Sequence, residues 1–169
     1  MGTDQFNKEI EAKFGNRLRS RVNGILIEDD SILMIKHLMF DQREFWSVPG
    51  GGMHYGTDAK ENLKREFLEE TSLEVEIDQY LFVHEYLDPP LHAMEHFFSV
   101  KRTGGIASLG KDPELSSENQ IIQELKWMKA KDLQRIPKTS LHRVFWGINS
   151  LDQLCLWKGY FNFGNISIK

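Results

Sequence analysis

Glu66, Glu69 and Glu70 stand at i, i+3 and i+4 in the segment Arg65-Glu66-Phe67-Leu68-Glu69-Glu70. On a helix turning about 100° per residue, their carboxylates fall within an arc of about 100° and converge on one face. Ala59, Leu63 and Phe67 form an apolar stripe beside that arc, with Glu70 at its border, so the acids lie at the edge of a buried face. Such a place is unfavourable for charge. Like charges at i,i+4 cost about 0.2–0.5 kcal/mol even when exposed, and partial desolvation adds to this unless a cation sits among them. Hard oxygen donors with few thiols or imidazoles nearby suit Mg2+, with Mn2+ as the alternative. Arg65 lies four residues after Glu61 and four before Glu69, so it can pair with either and fix a carboxylate rotamer.

The neighbouring sequence supplies what would hold these groups. Asp58 is a good N-cap, Glu61 stands in the capping-box position, and residues 59–70 contain no Gly or Pro, so a helix is predicted from Asp58 onward. Upstream, Pro49 and then Gly50, Gly51 and Gly52 end the apolar run Phe45-Trp46-Ser47-Val48, and glycines allow a close backbone approach that side chains forbid. Downstream, Leu73-Glu74-Val75-Glu76-Ile77 alternates as a strand does. A glutamate-rich helix alone is most often a solvated face. The glycine turn at one end and the strand at the other favour a site.

The segment 51–73 resembles the Nudix box of the Nudix (MutT-like) hydrolases: Gly, five residues, Glu, seven residues, then Arg-Glu-apolar-x-Glu-Glu-x-Gly-apolar. Gly51 matches the first glycine, residues 65–70 match the core, and Leu73 matches the last apolar position. Thr57 replaces the first Glu and Ser72 replaces the late Gly. The resemblance implies an α/β fold, a Nudix-type α/β/α sandwich with a mixed sheet. It also implies metal-dependent hydrolysis of a diphosphate bond, with Glu66, Glu69 and Glu70 binding the metal, helped by a carbonyl of Gly50 or Gly51. Thr57 bears on the order of the loop more than on the metal ligands, and Ser72 must adopt a conformation easier for Gly at a helix end. The family often places a further carboxylate in a later loop; Glu118, then Glu114, in the polar stretch 110–120 are the candidates for it, as ligand or general base.

The chain has 169 residues, enough for one core and short for two domains, so 1–169 is read as a single domain. A short amphipathic helix is predicted over about 4–16, where Phe6, Ile10 and Phe14 recur, and an aromatic extension over about 140–169. No apolar run approaches the roughly 18 residues of a membrane span, and the polar start lacks the core of a signal peptide. Cys155 is the only cysteine, which excludes an intramolecular disulfide and fits a reducing cytoplasm. A net charge of -4 argues against a broad nucleic-acid surface and membrane attachment is not expected, leaving a nucleotide-type small molecule as partner.

Strands are predicted over 22–27 and 32–35, joined as a hairpin by Glu28-Asp29-Asp30-Ser31, and then over 45–48, 73–77, 81–86, 92–102 and 125–128. A short helix from Lys129 is stopped by Pro137, and Leu141, Val144, Phe145, Ile148 and Leu151 keep helical spacing, predicting a C-terminal helix. Trp157, Tyr160, Phe161 and Phe163 suit either a cover for the core or a homodimer contact. His92 and His96 would stand about 13 Å apart on a strand, which does not suit zinc; His84 or His92 is better placed to meet a phosphate or base. His54 and Tyr55 in the motif loop, with Phe40 and Tyr86 as stacking surfaces, are the substrate-binding candidates, although each can equally pack internally.

The expected reaction is hydrolysis of NDP-X, a nucleoside diphosphate linked to another group, with ADP-ribose-like compounds and nucleoside triphosphates both allowed. Glu66 or Glu118 would take the proton from water, and Arg65 would orient Glu69. A module that binds a nucleotide without hydrolysing it is the alternative, for which Thr57 and Ser72 would be early signs. A transcription regulator would need a DNA-binding domain, for which 169 residues leave no room.

Overall fold

The structure is a computed structural model that describes residues 8, 11, 12, 14–39, 43–111 and 122–164. Its strands form two sheets. One has the order β5-β1-β7-β6-β9, built from β1 (Arg17–Ile25), β5 (Gly50–Gly52), β6 (Leu73–Asp88), β7 (Leu91–Gly105) and β9 (Gly159–Phe161). β1 runs parallel to β7 and β9 parallel to β6, while β5 with β1 and β6 with β7 are antiparallel, so this sheet is mixed. The other joins β2 (Ile27–Glu28), β3 (Ser31–Leu38) and β4 (Glu44–Ser47), with β8 (Ile122–Met128) on the second edge of β3.

The chemistry-bearing helix, α1 (Ala59–Thr71), packs through Leu63 and Phe67 on Val22, Leu26, Leu33, Phe98 and Val100. The fit is close: a Cβ on Gly24 of β1 would fall 2.3 Å from the Phe67 ring. A second apolar cluster lies on the opposite side of β1 and gathers Ile25, Trp46, Phe82, Phe97 and the C-terminal segment. Alternation along β1 therefore gives the helix one set of side chains and the space between the sheets the other.

Several expected boundaries move. β1 begins at Arg17, five residues before the expected Val22, and only its short continuation β2 forms the hairpin with β3. Asp29 and Asp30 turn that hairpin with φ of 47° and 58°, left-handed values that Asp tolerates. The expected strands 73–77 and 81–86 are one strand, because register shifts near Ile77 and Tyr80 absorb the irregular stretch between them. Thr103, Gly104 and Gly105 extend β7 beyond its expected end at Arg102.

The predicted C-terminal helix is corrected. Leu141, Val144, Phe145, Ile148 and Leu151 are all buried, but they lie on two 3-10 turns (Lys138–Ser140 and Arg143–Phe145) and the connecting loop, ahead of the short α3 (Asp152–Leu156). Their spacing satisfied a core contact without a continuous helix. α2 (Ala130–Leu133) is as short as expected. Trp157, Phe161 and Phe163 cover the core, stacking around Phe82 and one another, whereas Tyr160 stays exposed. Most of the predicted N-terminal helix lies outside the described residues; Glu11, Ala12 and Phe14 are helical. Among the described residues no helix is long and apolar enough to cross a membrane.

Candidate active site

Asp58 caps α1 as its sequence suggests: its side chain accepts the Glu61 N–H at 2.9 Å. Thr57 donates its hydroxyl to the His54 carbonyl at 3.0 Å and accepts from Asn62 Nδ2 at 2.6 Å. Asn62 is 1% exposed; its Oδ1 accepts the His54 N–H, and its Nδ2 also reaches the Asp58 carbonyl. One buried amide thus ties both ends of the loop 54–58 to the first turn of the helix. At the other end, Ser72 adopts φ 59° and ψ 17°, the left-handed cap expected where Gly is usual, and its N–H closes on the Leu68 carbonyl. Ser108 and Gly110 donate their N–H groups to the Thr71 and Glu70 carbonyls, satisfying the helix end.

Between these caps two of the three carboxylates, Glu66 and Glu70, meet the glycine turn. Glu70 is buried and accepts the Gly50 N–H at 2.9 Å. Glu66 lies against Gly51 so closely that a Cβ there would come within 2.4 Å of Oε1. Arg65 stands between its neighbours, donating to Glu69 at 2.7 Å and to Glu66 at 2.6 Å. It therefore pairs with Glu69, one of the two expected partners, and adds Glu66. Burial pushes the Glu66 carboxyl above its usual range, outweighing the opposite pull of Arg65. A desolvated carboxylate crowded by two others is the donor set a hard divalent cation relieves, so the residues present fit Mg2+ or Mn2+.

A second polar group lies between the sheets. Arg21 on β1 is in register with Glu95 on β7, its Nε 3.7 Å from the carboxylate, and its charge also reaches Glu66 and His37. Glu95 Oε2 meets His84 Nδ1 and His142 Nε2, both at 2.9 Å. Burial alone would raise the Glu95 pKa, but His142 and His84 overcome it and hold the carboxyl well below its ordinary range. The three residues are close enough to suggest a metal centre. The hydrogen bonds favour another reading: His142 Nδ1 accepts the Val144 N–H at 3.3 Å, which leaves Nε2 as the nitrogen that donates to Glu95. Coordination through Nε2 would turn an Nδ1–H against that N–H. The group acts as a brace that joins the β6–β7 hairpin to the C-terminal segment.

A Nudix domain model, the description being "NUDIX domain", matches residues 17–145. The chain belongs to the Nudix family. A MutT Nudix hydrolase from Burkholderia pseudomallei superposes with TM-score 0.62 at 20% identity, over 77% of this chain and 96% of that one. An ADP-ribose pyrophosphatase from Streptococcus suis superposes with TM-score 0.57 at 18% identity, over 85% and 98%. A UDP-X diphosphatase superposes with TM-score 0.62 at 16% identity, over 95% and 76%. At these identities the likeness is one of fold. No curated protein matches the chain. With the family, this Nudix chain is a hydrolase.

The structure brings Arg65, Glu66, Glu69, Glu70, Gly51 and His54 together, with His54 Nε2 3.5 Å from the Arg65 guanidinium. Tyr55 projects fully into solvent at the loop tip. Tyr86 on β6 is half-buried, and Arg143 lies 4.7 Å over its ring. Phe40, Glu114 and Glu118 lie outside the described residues. Sequence reasoning missed Arg19, Arg21, His37, Asn62 and Glu95. For the arginines a signal existed, since Arg17, Arg19 and Arg21 alternate as strand residues do, but a strand begun at Val22 excludes them.

Proposed function

We propose that this Nudix chain hydrolyses the diphosphate linkage of a nucleoside diphosphate derivative, NDP-X, in a Mg2+-dependent reaction. The observation that carries the reading is the seating of Glu66 and Glu70 against the glycine turn, with Glu69 tied to Glu66 through Arg65. Glu66, Glu69, Glu70 and the Gly51 carbonyl would hold the ion, Mg2+ or Mn2+. When bound, it supplies neutralisation of the charge that develops on the phosphoryl oxygens. Arg65 fixes the rotamers of Glu66 and Glu69 through its two hydrogen bonds. Glu66, with its carboxyl pushed up by burial, is suited to accept a proton from the attacking water, and Glu118 is the second candidate. His54 and Tyr55 flank the helix start, where a nucleotide would pass, and Tyr86 would offer a ring surface for a base, with Phe40 as the second candidate from the sequence. The substrates named for two fold relatives, ADP-ribose and UDP-X, support this class. The lone cysteine, Cys155, fits a reducing cytoplasmic setting, and the exposed Tyr160 leaves a site for self-association.

The test is incubation with nucleoside triphosphates, ADP-ribose, dinucleoside polyphosphates and nucleotide sugars in Mg2+, with and without chelator. Chelator-sensitive release of nucleoside monophosphate from one class is expected. Glu70→Gln should abolish that release while the protein keeps its unfolding midpoint, because the amide oxygen can still accept the Gly50 N–H. Near-normal turnover by the variant would exclude Glu70 as a ligand. No turnover across the panel, with nucleotides raising the midpoint, would favour a binding module.

A further inference from the structure

Arg17, Arg19 and Arg21 are spaced two apart on β1 and so share one face. Val22 and Gly24, on the other face, meet α1, whereas Ile25, in phase with the arginines, packs in the cluster between the sheets. Arg19 and Arg21 are therefore half-buried guanidiniums pointing into the interior at successive positions about 7 Å apart. Arg21 is the nearer to Glu66 and has Glu95 beside it.

Arg19 has no such partner. It is in register with Ala93, a side chain that offers no polar group. No carboxylate among the described residues lies within ion-pair distance of its guanidinium, whose Nε is buried without a hydrogen bond. The Phe14 ring lies against it, with the centroid 5.0 Å from Cζ. Burial, then repulsion from Arg21, holds its pKa below the usual arginine value against the attraction of Glu95, which stands beyond ion-pair distance. Nearby, His37 Nε2 is also buried without a partner, and burial with Arg21 beside it pushes that ring down to about 4, so it is neutral. Adjacent half-buried cations with an unfilled donor are costly unless an anion completes them, and a guanidinium fork suits phosphoryl oxygens.

We infer that Arg19 and Arg21 form a subsite for a further phosphoryl group of the substrate, beyond the diphosphate held at Glu66, Glu69 and Glu70. The inference rests on the NDP-X reading and narrows it. The favoured compounds carry a third phosphate, as nucleoside triphosphates or derivatives with a phosphorylated X, over those whose X is a neutral sugar. Arg21 takes the oxygens nearer the carboxylates, and Arg19 takes those one step out along β1.

Two measurements on the full chain test this. The first is the ratio of kcat/KM for a nucleoside triphosphate to that for a neutral nucleoside diphosphate sugar, in the unmutated protein, Arg19→Gln and Arg19→Lys. The ratio should fall at least tenfold in Arg19→Gln and less in Arg19→Lys, through KM, with unfolding midpoints recorded to confirm folding. A nucleoside diphosphate sugar acid forms a third arm; a fall for it equal to that for the triphosphate would show a general anion site and overturn the phosphoryl assignment. The second is calorimetric titration with inorganic tripolyphosphate and pyrophosphate in chelator, where Arg19→Gln should lower the preference for the longer ion by a similar factor. An unchanged ratio in both measurements overturns the subsite. If the unmutated protein turns over nothing yet prefers tripolyphosphate through Arg19, the hydrolase reading fails and the subsite stands.

Discussion

Gly51→Ala separates the geometry of the site from the stability of the fold. The added Cβ would lie 2.4 Å from Glu66 Oε1, 2.5 Å from Cδ and 2.8 Å from Oε2. Nonbonded carbons reach favourable contact near ~3.5 Å, so the carboxylate must retreat by about 1 Å. It can do so, because the obstacle is the end of a flexible side chain and Gly51 is not among the glycines with positive φ. The folded state should thus change by no more than about 1 kcal/mol, the usual scale of Gly→Ala at a permissive position. The displaced Glu66 leaves the place where Arg65 holds it. A misplacement of about 1 Å at a reacting centre costs roughly a hundredfold, or about 2.7 kcal/mol of barrier. Gly50→Ala is the contrast: its Cβ would stand 2.1 Å from the Val22 carbonyl oxygen, a backbone atom that moves only if β5 parts from β1. It should cost about 1–3 kcal/mol or more, a fall of several degrees at roughly 2–4 °C per kcal/mol. Steady-state kinetics in Mg2+ and differential scanning calorimetry on both variants decide the matter. Activity of Gly51→Ala within threefold of normal, or a midpoint loss matching that of Gly50→Ala, would refute the reasoning.

Acidity should control the response to metal. The Glu66 carboxyl is raised in the folded protein, so its contribution to stability is fully present below the ordinary glutamate value of about 4.3 and is lost as pH rises through the raised value. A divalent cation offsets that loss. The rise in unfolding midpoint on adding Mg2+ should therefore be largest at neutral to alkaline pH and shrink on acidification toward about 4.3; Glu66→Gln should flatten that dependence, and an unchanged profile in the variant would contradict it. Glu95 has the opposite sign. Its depressed carboxyl adds stability present above the ordinary carboxylate range and lost as pH falls below about 4 toward its folded value. Glu95→Ala should cost about 3–5 kcal/mol by stranding His84, His142 and Arg21, and calorimetry showing a loss below about 1 kcal/mol would show the brace to be dispensable.

The carboxylate face of α1 was legible because it depends on short-range regularities: a cap, a 3.6-residue period and a glycine turn, all within residues 49–73. The polar group between the sheets was not, because its residues come together through sheet pairing. Arg21 and Glu95 are 74 positions apart in sequence and meet only through the parallel register of β1 with β7. His142 reaches the same carboxylate from a segment whose periodic apolar residues suggested a helix. That period failed for a physical reason: Leu141 follows one 3-10 turn, Val144 and Phe145 lie on the next and Ile148 in the loop after it, and burial alone does not require these pieces to be continuous. The single bulged strand β6 was divided for a related reason, since Asp78, Gln79 and Tyr80 lie outside the core at the bulge and interrupt the alternation.

The two departures from the family pattern bear directly on whether this is a working site or a decaying one. Thr57 has no carboxylate to anchor its loop, yet its hydroxyl meets Asn62, and Asn62 in turn bonds the backbone at His54 and Asp58. Thr57 by itself would be a weak anchor, but a fully buried amide that makes all of these bonds is costly to dislodge. Ser72 carries the strain of a left-handed residue, and its cost is shared: its N–H reaches Leu68, its hydroxyl accepts from Ser108, and Ser108 and Gly110 close the last carbonyls of α1. Gly110 fits because a Cβ there would fall 1.8 Å from the Glu69 carbonyl oxygen, so the strand-following segment can lie directly on the helix end. Both substitutions are thus embedded in contacts that hold the two ends of α1, and the carboxylates between them keep their partners. Glu66 desolvated against Gly51 and Glu70 buried at the Gly50 N–H gather carboxylates at a cost that a divalent cation, bound as proposed, would offset.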